Sequence, residues 1–233
     1  MRAPSTTDER ETTASEPAMP SRQWVVGRDD PRQIAGIVKS SVVPRPIAWV
    51  STRDRDGVGN IAPHSYFMTL ADHPPVLGFV SSGRKDTLRN IESTGDYVIN
   101  IVGDDLVDQM NITSASFPAS EDEFRWAGLT MEPSSGVGAP RIAEAPISFE
   151  LRHRETRNYG TDASPSYLVV GDVVRIRIHE RVLAAGASGH HVLPEHLRAV
   201  ARMGGPATYT RTTDRFDLAR PSWDVDRETL DLP

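Results

Sequence analysis

Short apolar runs separated by turn residues set the rhythm of this chain. After Pro31, the residues Ile34, Ile37 and Val38 recur at helical spacing and predict a short helix. Pro44 and Pro46 impose an extended entry, after which Ile47 to Thr52 reads as a β-strand. Asp56-Gly57 signals a hairpin turn, whereas Gly57-x-Gly59 lacks the third glycine and following helix of a dinucleotide fingerprint. His64 to Leu70 predicts one further strand, ended by His73-Pro74-Pro75. Val76 to Val80 is a continuous apolar run, suited to a strand buried on both faces. From about Asp86 to Ser93 the pattern turns helical, with Leu88 and Ile91 on one side and Gly95 placed as a terminator. Tyr97 to Val102 returns to strand, and Leu106 to Ser114 reads as a helix with Leu106, Val107 and Met110 inward.

The second half begins with a polar stretch rich in Ser, Gly and Pro, from Phe117 to Pro140, expected to be irregular. Phe124, Trp126 and Leu129 are its hydrophobic touches, and Trp49 and Trp126 are both expected in the core. Ile147 to His153 predicts a strand and Arg154 to Ser166 a long polar loop. In Val169 to His179, Val174, Ile176 and Ile178 alternate with Arg175, Arg177 and His179, which predicts one buried and one wet face. No internal repeat is visible. Short strands in quick succession with few brief helices predict an antiparallel barrel rather than a doubly wound sheet.

Composition narrows the field. The 233 residues, 38% hydrophobic and 25% charged, describe an ordinary globular chain with material for a real core. A net charge of −6 argues against a general nucleic-acid or anionic-membrane binder. The absence of cysteine excludes disulfides, thiolate metal sites and a cysteine nucleophile, and fits a cytoplasmic setting. No apolar run approaches the roughly 20 residues of a membrane span. Residues 1–22 lack the apolar core of a signal peptide and are expected to form a disordered tail. The folded domain is then expected over 23–221, with a C-terminal tail over 222–233.

The stretch with most candidate chemistry is Ser81-Ser82-Gly83-Arg84-Lys85-Asp86-Thr87. Hydroxyls, two cations and a glycine gather where a helix begins, and helix starts offer unpaired N–H groups and positive dipole ends to a phosphate. The same residues also suit a solvated loop in which Asp86 or Thr87 is only an N-cap. Among the histidines, His190, His191 and His196 lie closest together, but their spacing does not match a zinc motif and no metal is expected. His64 sits inside a predicted strand, in either a packed or a proton-transfer role. His153 ends a strand, as a surface residue or as a contact for nicotinamide or substrate. No GxSxG or ordered Ser/His/Asp signature supports a hydrolase.

Four ordered pieces resemble the flavin reductase-like, flavoredoxin-type FMN-binding split β-barrel family: Pro44 to Thr52, Asn60 to Phe67, Lys85 to Ile91 and Gly95 to Asn100. With Gly171 to Val174 and the segment Arg202 to Pro221, the resemblance spans roughly residues 35–221. It implies a mainly β, six-stranded antiparallel Greek-key split barrel with a few flanking helices. It further implies FMN with its phosphate held by Ser81, Arg84, Lys85 and Thr87, and with Asp86 shaping the turn and capping the helix. Ser65, Tyr66, Phe67 and Met68 would lie along the isoalloxazine and ribityl chain, and Gly204 to Arg211 near a flavin pocket. The implied activity is reduction of flavin by NADH or NADPH in a homodimer, with electrons passed to a partner monooxygenase or a small-molecule acceptor. An FMN-retaining enzyme acting on a small organic substrate, or a flavin-binding electron carrier, are the alternatives. The sequence carries no nicotinamide fingerprint that would choose between the two donors.

Overall fold

The computed structural model describes residues 21–186 and 189–222, so the expected tails at 1–22 and 222–233 lie, but for residues 21, 22 and 222, outside the described residues. The protein is mainly β. One sheet holds β1 (Ala48–Arg53), β2 (Gly59–His64), β3 (Phe67–Asp72), β4 (Pro75–Ser82), β5 (Asp96–Asn100), β6 (Ile147–Asn158) and β7 (Ser166–Ile178). Its order is β2-β1-β5-β6-β7-β4-β3 and every neighbouring pair is antiparallel. The two edge strands, β2 and β3, are consecutive in the chain and joined only by Ser65 and Tyr66. The sheet therefore curls until its edges meet at this joint, where the Val80 amide of β4 donates to the Tyr66 carbonyl at 2.8 Å.

That joint corrects the single strand expected over His64 to Leu70. His64 still pairs with Ala48 of β1, whereas Phe67 already pairs with Phe79 of β4. One straight strand cannot serve ladders on opposite edges, so the chain turns at Ser65-Tyr66. The expected six-stranded split barrel is present with one of its strands bent into β2 and β3.

Two hydrophobic clusters flank β1, as strand alternation requires. Ala48 and Val50 join Leu77, Phe79, Leu88, Ile91, Tyr97, Ile99 and Leu151 on one side. Trp49 joins Ile61, Met110, Phe124 and Ile142 on the other, its indole N–H donating to Thr113 Oγ1 at 2.9 Å. Each fully buried large side chain contributes roughly 1.5–3 kcal/mol.

The helices are few and short. In α1 (Pro31–Ser41), Asp30 caps the first turn by accepting from the Arg32 amide, and no residue is buried. In α2 (Asp86–Thr94), Leu88 and Ile91 dock on the barrel and Gly95, at φ 82°, ends the helix in the left-handed region where glycine carries no steric cost. α3 (Val107–Ile112) and α4 (Glu123–Trp126) cover the Trp49 side, with Met110 and Phe124 buried. A small sheet pairs Arg45–Pro46 with Val200–Arg202, and that strand with Tyr209–Arg211.

Three further expectations change. Arg154 to Asn158 continue β6 rather than forming a loop: Glu155 to Asn158 pair with Val170 to Tyr167 of β7, and Arg154 sits at the register shift. A backbone ladder needs no apolar side chains, so polarity was a poor guide there, and only residues 159–165 turn. The Val174/Ile176 face is not covered by the described residues: these two are 45% and 48% exposed. Trp126 is 58% exposed, stacked on Phe117 at 6.2 Å with its indole N–H on Glu121, while Trp49 is buried.

Candidate functional site

A cleft of about 720 Å³ opens beside the Ser65-Tyr66 joint, where the sheet edges meet. One wall is the β4–α2 turn, the floor is β2 with the joint, and the far wall is built from α1 and the Arg202–Gly205 segment.

The turn is braced from within. The Ser81 hydroxyl is buried and donates to the Gly83 carbonyl at 2.9 Å, while the Gly83 amide donates to the Pro165 carbonyl of the β6–β7 hairpin at 3.1 Å. Arg84 forms an ion pair with Glu92, and Arg89 pairs with Asp86 and donates to the Arg84 carbonyl. Lys85 stands at the N-cap with extended backbone and no side-chain cap, so the first amides of α2 remain free of one. Asp86 is thus the first helical residue, held by Arg89, and not the cap that the sequence suggested; Lys85 precedes it in that position. Thr87 Oγ1 accepts from Asn60 Nδ2 at 3.2 Å, which leaves the threonine proton available to a ligand.

The cleft lining includes two groups with displaced proton affinities, His64 of β2 and Glu123 of α4. His64 Nδ1 faces the Val80 carbonyl at 3.3 Å and the ring packs on Phe79 with centroids 4.6 Å apart. Burial pulls its pKa down to about 4, with Lys85 pushing the same way, so the imidazole is neutral at physiological pH. Nδ1 then carries the proton toward Val80, and Nε2, sealed from solvent, has no protein partner. Glu123, 7% exposed, accepts from the Ile61 amide at 2.6 Å. Its pKa is pushed up to about 7 by burial, reinforced by Asp86 and Asp122 and opposed by the Ile61 hydrogen bond.

Of the residues singled out in the sequence, Ser65, Tyr66, Ser81, Arg84, Lys85, Asp86 and Thr87 meet on this cleft. Phe67 instead packs against the barrel core, and Met68 is exposed on β3. His153 stands apart on β6, its Nε2 2.8 Å from Thr156 Oγ1 and its amide on the Gly95 carbonyl. His190 and His191 lie on the Gly189–Val192 strand, and His196 in the Pro194–Leu197 helix faces the Arg181 carbonyl. The described residues hold no group of three or more metal-ligating side chains. Asn60, Glu123, Lys39 and Arg45 also line the cleft, yet none was singled out as a site residue. Arg45 and Asn60 lie within the Pro44–Thr52 and Asn60–Phe67 pieces that carry the family resemblance, which was the one signal that could have found them.

The pattern of a flavin reductase like domain matches residues 40–211. This chain belongs to the flavin reductase like family. The barrel, its joint and the turn into α2 all fall within that span. Relatives of similar extent surround it. A protein of Aquifex aeolicus is 36% identical over 189 residues, covering 78% of this chain and 92% of its own. Nitrilotriacetate monooxygenase component B of Bacillus cereus superposes with a TM-score of 0.79 at 30% identity, over 87% of this chain and 100% of that one. The 2-nitrobenzoate 2-nitroreductase of Pseudomonas fluorescens gives 0.78 at 28% identity, over 87% and 98%. Family and neighbours make this a flavin-related oxidoreductase fold, and no helix among the described residues is long and apolar enough to cross a membrane.

Proposed function

We propose that the cleft binds FMN and that the protein is an NAD(P)H-dependent flavin oxidoreductase. The observation that carries this reading is the uncapped start of α2, with Lys85 and the Thr87 hydroxyl, opening on the same cleft as the Ser65-Tyr66 joint. That donor set suits a phosphate: free amides at a positive dipole end, one ammonium and one hydroxyl.

Lys85, Thr87 and the amides of α2 would hold the phosphate, with Ser81 acting through the turn rather than as a free donor. Ser65 and Tyr66 would hold the ring system, the Tyr66 carbonyl being already engaged by the Val80 amide. When bound, FMN supplies the capacity to accept a hydride from NADH or NADPH and to pass electrons onward. The protein's share is positioning and exclusion of water, so no side chain of the cleft is assigned as acid or base. The acceptor is a partner monooxygenase or a small molecule; the monooxygenase component and the nitroreductase among the neighbours support both kinds. Exposed Val174 and Ile176 support a homodimer, which light scattering on the purified chain tests.

An absorbance spectrum of the purified protein, followed by anaerobic NADH and then NADPH, tests the activity. A flavin band that bleaches, or NAD(P)H oxidation that appears only on adding FMN, supports the reading. No affinity for FMN, or a bound flavin that neither nucleotide reduces, overturns it.

A further inference from the structure

The cleft draws cations from two separate parts of the chain, and a single phosphate at the start of α2 would engage only one of these sets. At the turn, Arg84 is matched by Glu92 and Arg89 by Asp86, which leaves Lys85. On the far wall stand Lys39, Arg45 and Arg202. Arg45 is 7% exposed; its Nη1 donates to the carbonyls of Lys39 and Val42, and its Nη2 to that of Met203 at 3.0 Å. Its Nε has no partner, and the guanidinium lies 5.8 Å over the Tyr66 ring. Arg202 Nη2 donates to the Gly205 and Pro206 carbonyls, with its guanidinium 4.6 Å over Tyr209. No carboxylate among the described residues forms an ion pair with Lys39, Arg45 or Arg202, in contrast to Arg84 and Arg89.

Carbonyls satisfy the geometry of a guanidinium without neutralising it. Arg45 caps the C-terminal carbonyls of α1, a structural duty that accounts for its burial. Lys39 and Arg202 have no such duty toward the helix, and they bring further positive charge to the same side. A desolvated guanidinium flanked by two more cations and facing a cleft is a setting where an anion gains most.

We propose that Lys39, Arg45 and Arg202 form a second anion-recognition locus, for the negatively charged group of the reactant that meets the flavin. This rests on the flavin reading of the cleft. The group recognised is an anionic oxygen cluster, either a phosphate of the nicotinamide dinucleotide or the carboxylate of an organic acceptor. Both would be steered by the same charges.

The test uses the full chain with Lys39→Ala and Arg202→Ala, singly and together, leaving Arg45 to hold α1. Calorimetric titrations with NADP+, NAD+ and benzoate are run with and without FMN. The double variant is expected to lose affinity for NADP+ or for benzoate by about tenfold or more while FMN affinity changes less than about twofold. Loss confined to the nucleotides assigns the locus to the dinucleotide, and loss confined to benzoate assigns it to the acceptor. Unchanged affinities, or a wild-type protein that binds none of the three, overturn the proposal. So does a large loss of FMN affinity in this variant but not in one altered at Lys85 and Thr87, because the locus would then be the flavin's own phosphate site. A protein that binds the anions through these residues but not FMN would keep the locus and remove the flavin reading.

Discussion

The Tyr97 hydroxyl occupies the space that a side chain at Gly171 would need. A β-carbon there would fall within the envelope of that hydroxyl, 2.9 Å from Tyr97 Cζ and 3.0 Å from the Arg152 carbonyl. The β6–β7 register shifts at this same step, between Val170 and Gly171. Burial, together with the charge of Asp172, raises the Tyr97 pKa, and its hydroxyl has no partner.

Gly171→Ala is therefore expected to destabilise the fold by about 1–3 kcal/mol, the usual cost of overpacking. Tyr97→Phe removes a buried unsatisfied hydroxyl and is expected to be near neutral or stabilising. The double variant should recover part of the loss, leaving the clash with the Arg152 carbonyl. Urea unfolding of the four proteins checks the cycle; strict additivity would mean that the two residues do not compete for that space.

At the turn, Lys85→Ala with Thr87→Ala is expected to weaken FMN binding, each lost charge-assisted bond being worth about 1.5–3 kcal/mol. Fluorescence titration with FMN and with riboflavin measures it. The loss should be confined to FMN, since riboflavin lacks the phosphate; an equal loss for both would mean that the ring system had moved.

Glu123 and His64 give stability opposite pH slopes. The folded-state pKa of Glu123 is raised from 4.5 to about 7, so the folded state holds the proton more tightly, and stability falls as pH rises through that window. That of His64 is lowered from 6.5 to about 4, so the unfolded state takes protons first, and stability falls as pH drops from 6.5 toward 4. Glu123→Gln keeps an oxygen for the Ile61 amide and cannot ionise. Its stability relative to wild type is expected to increase steadily from pH 4.5 to pH 7, read by urea unfolding across that range. A constant difference would place the Glu123 pKa near its ordinary value.

The β6–β7 hairpin tip reaches the turn through the Pro165 carbonyl on the Gly83 amide. Replacing residues 160–165 by a two-residue turn is expected to lower FMN affinity while the barrel keeps its stability. Equilibrium titration beside thermal unfolding separates the two effects. Unchanged affinity would show that the turn holds its shape without the tip.

Local rules were legible in the sequence and long-range ones were not. α2 could be read because Leu88, Ile91 and Gly95 carry its periodicity and its stop within ten residues. The Asp56-Gly57 hairpin was equally plain, since β1 and β2 pair across it. The break at Ser65-Tyr66 was not, because uniformly strand-favouring residues do not reveal that the partner strand has changed. Val174 and Ile176 alternate as a buried face would, yet nothing among the described residues covers that face, and alternation alone does not say whether a face is covered. Glu123 sits in a polar stretch with no period, and only its approach to the Ile61 amide gives it a place in the cleft. The phosphate-suited turn was visible as composition; which of its cations are already paired was not.

Ser65 and Tyr66 lie between the two edge strands at the point where the barrel closes, and the Tyr66 carbonyl is held by the Val80 amide. The course of the chain there is set by pairing on either side, so side chains around the cleft can be exchanged without moving the joint, provided that no proline removes a paired amide. Charges on the walls can then change which reactant the cleft favours while the main chain at the joint keeps its course.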